Sequence, residues 1–250
     1  MAELFVVGIG PGNAQMMTAQ ARNAILEANT IVGYSTYIDI LKKIFPKIES
    51  EKKIISTPMT KEEERVRLAL DAAKCEKTAI VCSGDAGVYG MASLALSLSA
   101  DSEAKIEIVA GVTAAISGAA LLGSPLSNDF ATISLSDRLT PQKTIEKRLK
   151  ASSIGDFCVA LYNPRSVARK DALKNAVQIL LEDRDKNTPC GWVQNVARNG
   201  ENWGILPLFE LADFNADMFS TIFIGNSQTK IIETKERKWL VTERGYSNKR

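Results

Sequence analysis

The run "LFVVGIG" (residues 4–10) is apolar throughout, and "AQMMTAQARNAILEA" behind it carries apolar residues at helical spacing. That pairing of a buried strand with an amphipathic helix repeats four more times. "TIVGY" precedes "STYIDILKKIF", "KKIISTP" precedes a helix from Thr60 to Lys74, "TAIVCSG" precedes "GVYGMASLALSLS", and "KIEIVAG" precedes "VTAAISGAALLG". Strands that are apolar on both faces and separated by helices predict a mainly parallel sheet. Glu62, Glu63 and Glu64 fill the first turn of the third helix, where the helix dipole favours acids.

The rhythm changes at "SPLSNDF" (124–130), a turn-rich stretch that reads as a linker. Beyond it, "FATISLS", "DFCVALYN", "CGWVQNV", "WGILPLFEL", "STIFIGN" and "KWLVTER" read as strands. Only "TPQKTIEKRLKAS" and "SVARKDALKNAVQILLED" read as helices, so a mixed sheet with antiparallel pairs is expected. The predicted architecture is α/β in two domains. Residues 1–120 would carry the mainly parallel sheet and residues 128–246 the mixed one.

Composition narrows the chemistry. A net charge of +2 over 250 residues gives no reason to expect nucleic acid or a membrane surface as partner. The apolar stretch "IEIVAGVTAAISGAALLGSPL" is broken by Gly111, Gly118 and Gly123, and strand-turn-helix explains it better than a membrane span. The N-terminus reads straight into a strand with no signal-peptide pattern, so a cytoplasmic protein is expected. Cys75, Cys82, Cys158 and Cys190 are widely spaced, which predicts small buried thiols in a reducing compartment and no protein-bound metal. The chain has no histidine, which removes Ser-His-Asp and Cys-His catalysis.

Three glycine-bearing loops follow predicted strands: "GIGPGN" (8–13), "CSGDAGVYGMA" (82–92) and "AGVTAAISG" (110–118). Ligands of open α/β sheets bind at such carboxyl ends. A dinucleotide fingerprint would place a third glycine at position 13, which is Asn13, and an acid at the end of the second strand, which runs "IVGYS". Both requirements fail. Asp85 and Thr113 have a second reading, as caps of the helices that follow them.

Taken together, "GIGPG", "GDAGVYG" and "GVTA" resemble the tetrapyrrole methylase family, whose members methylate corrin and sirohaem precursors with S-adenosyl-L-methionine. The second motif departs from the family at Ala86, where many members have proline. "ISLSDRLTP" (133–141), "LYNPRS" (161–166), "VQNVARNGE" (193–201) and "TIFIGNS" (221–227) are similar to the branch that methylates C-17 of precorrin-3B or cobalt-precorrin-3 and contracts the ring on the way to cobalamin. Arg138 stands where that branch is expected to have an apolar residue.

The resemblance implies an active site in the cleft between two domains, a tetrapyrrole rich in acetate and propionate side chains as substrate, and a homodimer. It implies cofactor contacts at Pro11, Ser83, Gly84, Asp85, Val88, Thr113, Ala114, Asn163, Val196 and Thr221, with S-adenosyl-L-homocysteine as product. Substrate contacts would fall at Gly10, Gly12, Arg138, Arg165 and Arg198, with Arg169 and Lys170 beside them, because guanidinium groups suit carboxylates. Asp85, Asp137, Ser134 and Tyr162 are the candidates for moving protons during ring contraction. Whether the substrate carries cobalt stays open, as do another ring position and a diphthamide precursor as targets.

Overall fold

A computed structural model describes residues 3–100 and 102–245; residues 1, 2, 101 and 246 of the expected domain ranges lie outside it. The chain divides into one unit up to Ala114 and a second from Ala115, ahead of the boundary expected at 120. Unit 1 holds β1 (Glu3–Gly8), α1 (Ala19–Glu27), β2 (Thr30–Tyr34), α2 (Ser35–Ile44), α3 (Ile48–Glu51), β3 (Lys53–Thr57), α4 (Glu62–Ala73), β4 (Lys77–Cys82), α5 (Ala92–Leu98) and β5 (Lys105–Val109). Its sheet runs β3-β2-β4-β1-β5 and is parallel at every pairing. The strand period of two splits the apolar residues between its faces. Phe5, Val7 and Val81 pack with Ala21, Ile25, Ile38 and Leu41 of α1 and α2. Leu4, Val6 and Ile80 pack with Val66, Ala69 and Ala95 of α4 and α5.

Several predicted boundaries move, each for a local reason. The first helix begins at Ala19, after Thr18 accepts from Ala21 N (3.1 Å) as its cap, and Asn13–Met17 form a turn. Thr60 does not start α4; it sits at φ 73° and the helix opens at Glu62. α5 begins only at Ala92, because Tyr89 at φ 55° breaks the helical path. Cys75 lies exposed beyond the end of α4, contrary to the expectation of four buried thiols, whereas Cys82, Cys158 and Cys190 are buried.

Unit 2 takes nearly all of α6 (Ala114–Leu122). It continues with β6 (Gly123–Ser124), β7 (Phe130–Ser134), α7 (Gln142–Ile154), β8 (Cys158–Tyr162), α8 (Ala172–Leu180), β9 (Pro189–Gln194), β10 (Asn202–Pro207), a 3-10 turn at Leu208–Asp213, β11 (Ser220–Ile224), β12 (Thr229–Glu233) and β13 (Lys238–Thr242). The main sheet runs β10-β9-β11-β8-β7, with β11 antiparallel to both neighbours and β7 parallel to β8, a mixed sheet. α7 and α8 cover one face through Leu149, Leu173 and Val177. α6 covers the other, where Gly118 comes so close to Phe223 that a Cβ would lie 2.9 Å from its ring. The stretch read as a linker starts with a strand, since Gly123 and Ser124 pair with Leu240 and Val241. Arg237, stacked 4.0 Å from the Trp203 ring and 3.8 Å from the Trp239 ring, donates to Leu121 O and holds the end of α6. No helix of the described residues is long and apolar enough to cross a membrane.

Candidate functional site

The carboxyl edge of the unit 1 sheet is built from main chain. Gly10 N donates to Gly84 O (3.0 Å) and Gly84 N to Gly10 O (2.8 Å), so the first and second glycine loops pair as a two-residue bridge. Gly111 brings the third loop against both: a Cβ there would stand 2.1 Å from Gly84 O and 2.5 Å from Gly8 O. Gly10 and Gly84 adopt φ 77° and 71°, the left-handed region in which glycine carries no steric penalty. These glycines let backbone meet backbone, a tighter role than a simple strand-to-helix turn.

Asp85 joins the same assembly. Its Oδ1 accepts from Gly87 N (2.8 Å) and Val88 N (3.1 Å), and its Oδ2 accepts from Gly111 N (2.9 Å). The carboxylate therefore ties the second loop to the third, and it does not cap α5, which starts seven residues later at Ala92. Cys82, directly before this loop, donates to Val7 O (3.4 Å), and burial pushes its thiol up to about 11. It stays protonated near neutral pH and supplies no nucleophile. Pro11 is buried, Ser83 and Thr113 are half-buried, and Ala114 begins α6. A Cβ on Gly84 would meet only Thr113, at 3.7 Å, and one on Gly87 only Asp85 Oδ1, at 3.3 Å. The main chain here is approachable, as a ligand held through backbone groups requires.

Arg65 was not visible as a site residue. It is 4% exposed and lies on the face of α4 that also buries Val66, Ala69 and Ala73. Nε donates to Thr57 Oγ1 (2.7 Å), Nη2 to Pro58 O (2.9 Å) and Nη1 to Met91 Sδ (3.7 Å). It thereby joins the end of β3 to the far end of the second glycine loop, and burial lowers its pKa. An arginine within an apolar helical stripe was the available signal.

The unit 2 sheet collects the remaining candidates at one edge, formed by the carboxyl ends of β7, β8 and β9 and the amino ends of β10 and β11. Ser134 pairs with Tyr162, and Gln194 with both Asn202 and Ser220. Here the work is done by side chains. Ser134 Oγ accepts from Asn163 Nδ2 (2.9 Å) and Ser136 N (3.2 Å). Tyr162 Oη accepts from Ala115 N (2.8 Å), one of the N–H groups that the first turn of α6 leaves unpaired. Asp137 pairs with Arg169 Nε (3.4 Å), whose Nη1 donates to Leu135 O (2.8 Å). Arg165 donates to Asn215 Oδ1, and Arg198 lies 5.6 Å from the Phe219 ring. Arg138 is exposed, and Val196 and Thr221 are buried. Asn163, Asn195 and Ala197 all hold positive φ, at 54°, 53° and 57°. Such strain concentrates where a fold fixes side chains for a ligand.

The family profile "Tetrapyrrole (Corrin/Porphyrin) Methylases" matches residues 3–212. The chain is 38% identical over 247 residues to the "Probable cobalt-factor III C(17)-methyltransferase" of Salmonella typhimurium, covering 98% of this chain and 99% of that protein. It is 42% identical over 249 residues to the "Cobalamin biosynthesis protein CbiHC" of Archaeoglobus fulgidus, covering 99% of this chain but 53% of that protein, so it spans about half the length of that relative. Among solved structures, the methyltransferase CobJ superimposes with a TM-score of 0.87 at 31% identity, covering 97% of this chain and all of that one.

Proposed function

The chain belongs to the tetrapyrrole (corrin/porphyrin) methylases, and from that membership we propose that it methylates C-17 of a corrin precursor in cobalamin biosynthesis, with ring contraction. The observation that carries this reading is the near full-length similarity to the Salmonella typhimurium relative, whose name specifies both the ring position and a cobalt-bearing substrate. We take cobalt as part of the substrate and S-adenosyl-L-methionine as the methyl donor. The homodimer implied by the resemblance belongs to the same proposal.

The donor supplies an activated methyl group on a sulfonium, which leaves as a neutral thioether. What the protein must add is alignment, worth on the order of 7–11 kcal/mol when two reactants are held in line. A chain without histidine can do this. In unit 1 we assign the donor to the main chain at Pro11, Ser83, Gly84, Val88, Thr113 and Ala114, with Asp85 holding those loops in register. Asn163, Val196 and Thr221 complete the donor contacts that the family resemblance implies. Arg138, Arg165 and Arg198 meet the substrate's carboxylates as charge-assisted pairs, and Gly10 and Gly12 give the macrocycle access to backbone.

Ring contraction needs a proton moved. Asp85 is engaged by three amides and Asp137 by Arg169, the Tyr162 hydroxyl is committed to the start of α6 through Ala115 N, and Ser134 Oγ, as the acceptor of two hydrogen bonds, keeps its own O–H as a donor. We therefore assign the proton-handling role to Ser134 and a positioning role to the other three. The test is incubation of the chain with donor and either cobalt-factor III or metal-free precorrin-3B, followed by mass and NMR analysis of the product. Methylation at C-17 of the cobalt substrate is expected, and Ser134→Ala should slow turnover by about a hundredfold. Transfer to neither tetrapyrrole, or to another ring position, overturns the reading; transfer to precorrin-3B alone overturns the cobalt assignment.

A further inference from the structure

Two apolar side chains stand almost wholly in solvent on adjacent loops of unit 2. Leu139 is 98% exposed and Val167 is 93% exposed. Single exposed apolar residues are ordinary, but these two share a braced base. Their loops leave neighbouring parallel strands at paired residues, Ser134 and Tyr162. Leu135 N donates to Tyr162 O (2.9 Å), and Asn163 bonds Ser134 across the same gap. Arg169 then reaches from the second loop to Leu135 O and Asp137 in the first, while its own backbone closes a turn with Ser166. The bases are fixed and the tips hold nothing.

The charge around the tips is lopsided. Residues 134–141 and 163–171 contain Arg138, Arg165, Arg169 and Lys170 against Asp137 and Asp171. A ligand suited to this surface is apolar in the middle and anionic at the rim. We propose that Leu139 and Val167 are the apolar contacts of a two-loop grip on the ring face of the tetrapyrrole, with Arg138 and Arg165 meeting carboxylates at its edge. This rests on the methyltransferase reading for the identity of the ligand. It adds specificity residues that no glycine motif or catalytic group identifies.

The experiment is a double variant, Leu139→Ser with Val167→Ser, titrated with cobalt-factor III by absorbance and with S-adenosyl-L-homocysteine by calorimetry. Because neither side chain packs against the fold, the melting temperature should not move. Tetrapyrrole affinity is expected to fall at least tenfold, and affinity for the adenosyl ligand to stay within twofold. The apolar pair Leu139→Met with Val167→Ile should restore tetrapyrrole binding. Unchanged tetrapyrrole binding in the serine variant overturns the grip even if methyl transfer proceeds normally. Equal loss of both ligands also overturns it. If the unaltered chain binds no tetrapyrrole, the grip and the functional reading fall together, whereas binding without transfer, lost in the serine variant, leaves the grip standing and removes only the methyltransferase reading. A change of oligomeric state in the serine variant, with tetrapyrrole binding intact, would assign the tips to a second copy of the chain.

Discussion

The two sheet edges solve the same problem with different material. In unit 1, loops after β1, β4 and β5 lock main chain to main chain through Gly8, Gly10, Gly84 and Gly111, and the Asp85 carboxylate bonds only amides. In unit 2, loops after β7 and β8 are joined by side chains: Asn163 to Ser134, and Arg169 to Leu135 and Asp137. A backbone lock is stiff and indifferent to side-chain chemistry, which suits the methyl donor we propose for that edge. A side-chain brace can be re-edited residue by residue, which suits the macrocycle we propose for that edge. The sharpest difference should therefore appear where one substitution adds the same atom to each edge.

Alanine for glycine is that substitution. Gly111→Ala would press a Cβ to 2.1 Å from Gly84 O and 2.5 Å from Gly8 O, both main-chain atoms that no rotamer change can move. A loss of more than about 3 kcal/mol in urea unfolding is expected, together with loss of adenosyl-ligand binding. Gly200→Ala in unit 2 meets nothing nearer than Asn195 Nδ2 at 3.7 Å, so only its φ of 79° is penalised, by about 1–2 kcal/mol. If the two variants unfold at the same urea concentration, the contrast between the edges is broken.

That contrast was half legible in the sequence. Glycines after apolar runs marked the unit 1 loops, because only glycine permits both the positive φ and the close approach. The alternation of "TAIVCSG" and its fellows with helical spacing gave the parallel sheet for the same reason that it forms: strands buried on both faces must be apolar at every position. What periodicity could not show was where single side chains reach. Arg65 and Arg169 are ordinary letters in helical or turn segments, and their roles depend on carbonyls brought near by tertiary structure. "TKIIE" (229–233) was missed as β12 because it is short and its last four residues are exposed, leaving little burial pattern to read.

A subtler substitution asks whether Asp85 works by shape or by charge. In Asp85→Asn the carbonyl oxygen can still accept from Gly87 and Val88, but the new NH2 group faces the Gly111 N–H, donor against donor. Losing that one bond should cost about 1–3 kcal/mol and weaken the adenosyl ligand. The shape of the pH–rate profile should not change, because the group holds loops and transfers no proton. Loss of a limb of that profile in the asparagine variant would return Asp85 to the role of catalytic acid or base.

The smallest effect belongs to Tyr162→Phe, the corresponding test in unit 2. Removing the hydroxyl strands Ala115 N at the start of α6, and Tyr162 is half-buried, so water can take part of the load. A stability loss of about 1 kcal/mol is expected from thermal melts, the usual net value of one neutral hydrogen bond. Because the hydroxyl acts here as an acceptor for a helix N–H, turnover should stay within about threefold, well short of the hundredfold that removal of a general acid produces. The two readouts separate cleanly. A stable variant with turnover reduced a hundredfold would show that Tyr162, and not Ser134 beside it on β7, delivers the proton.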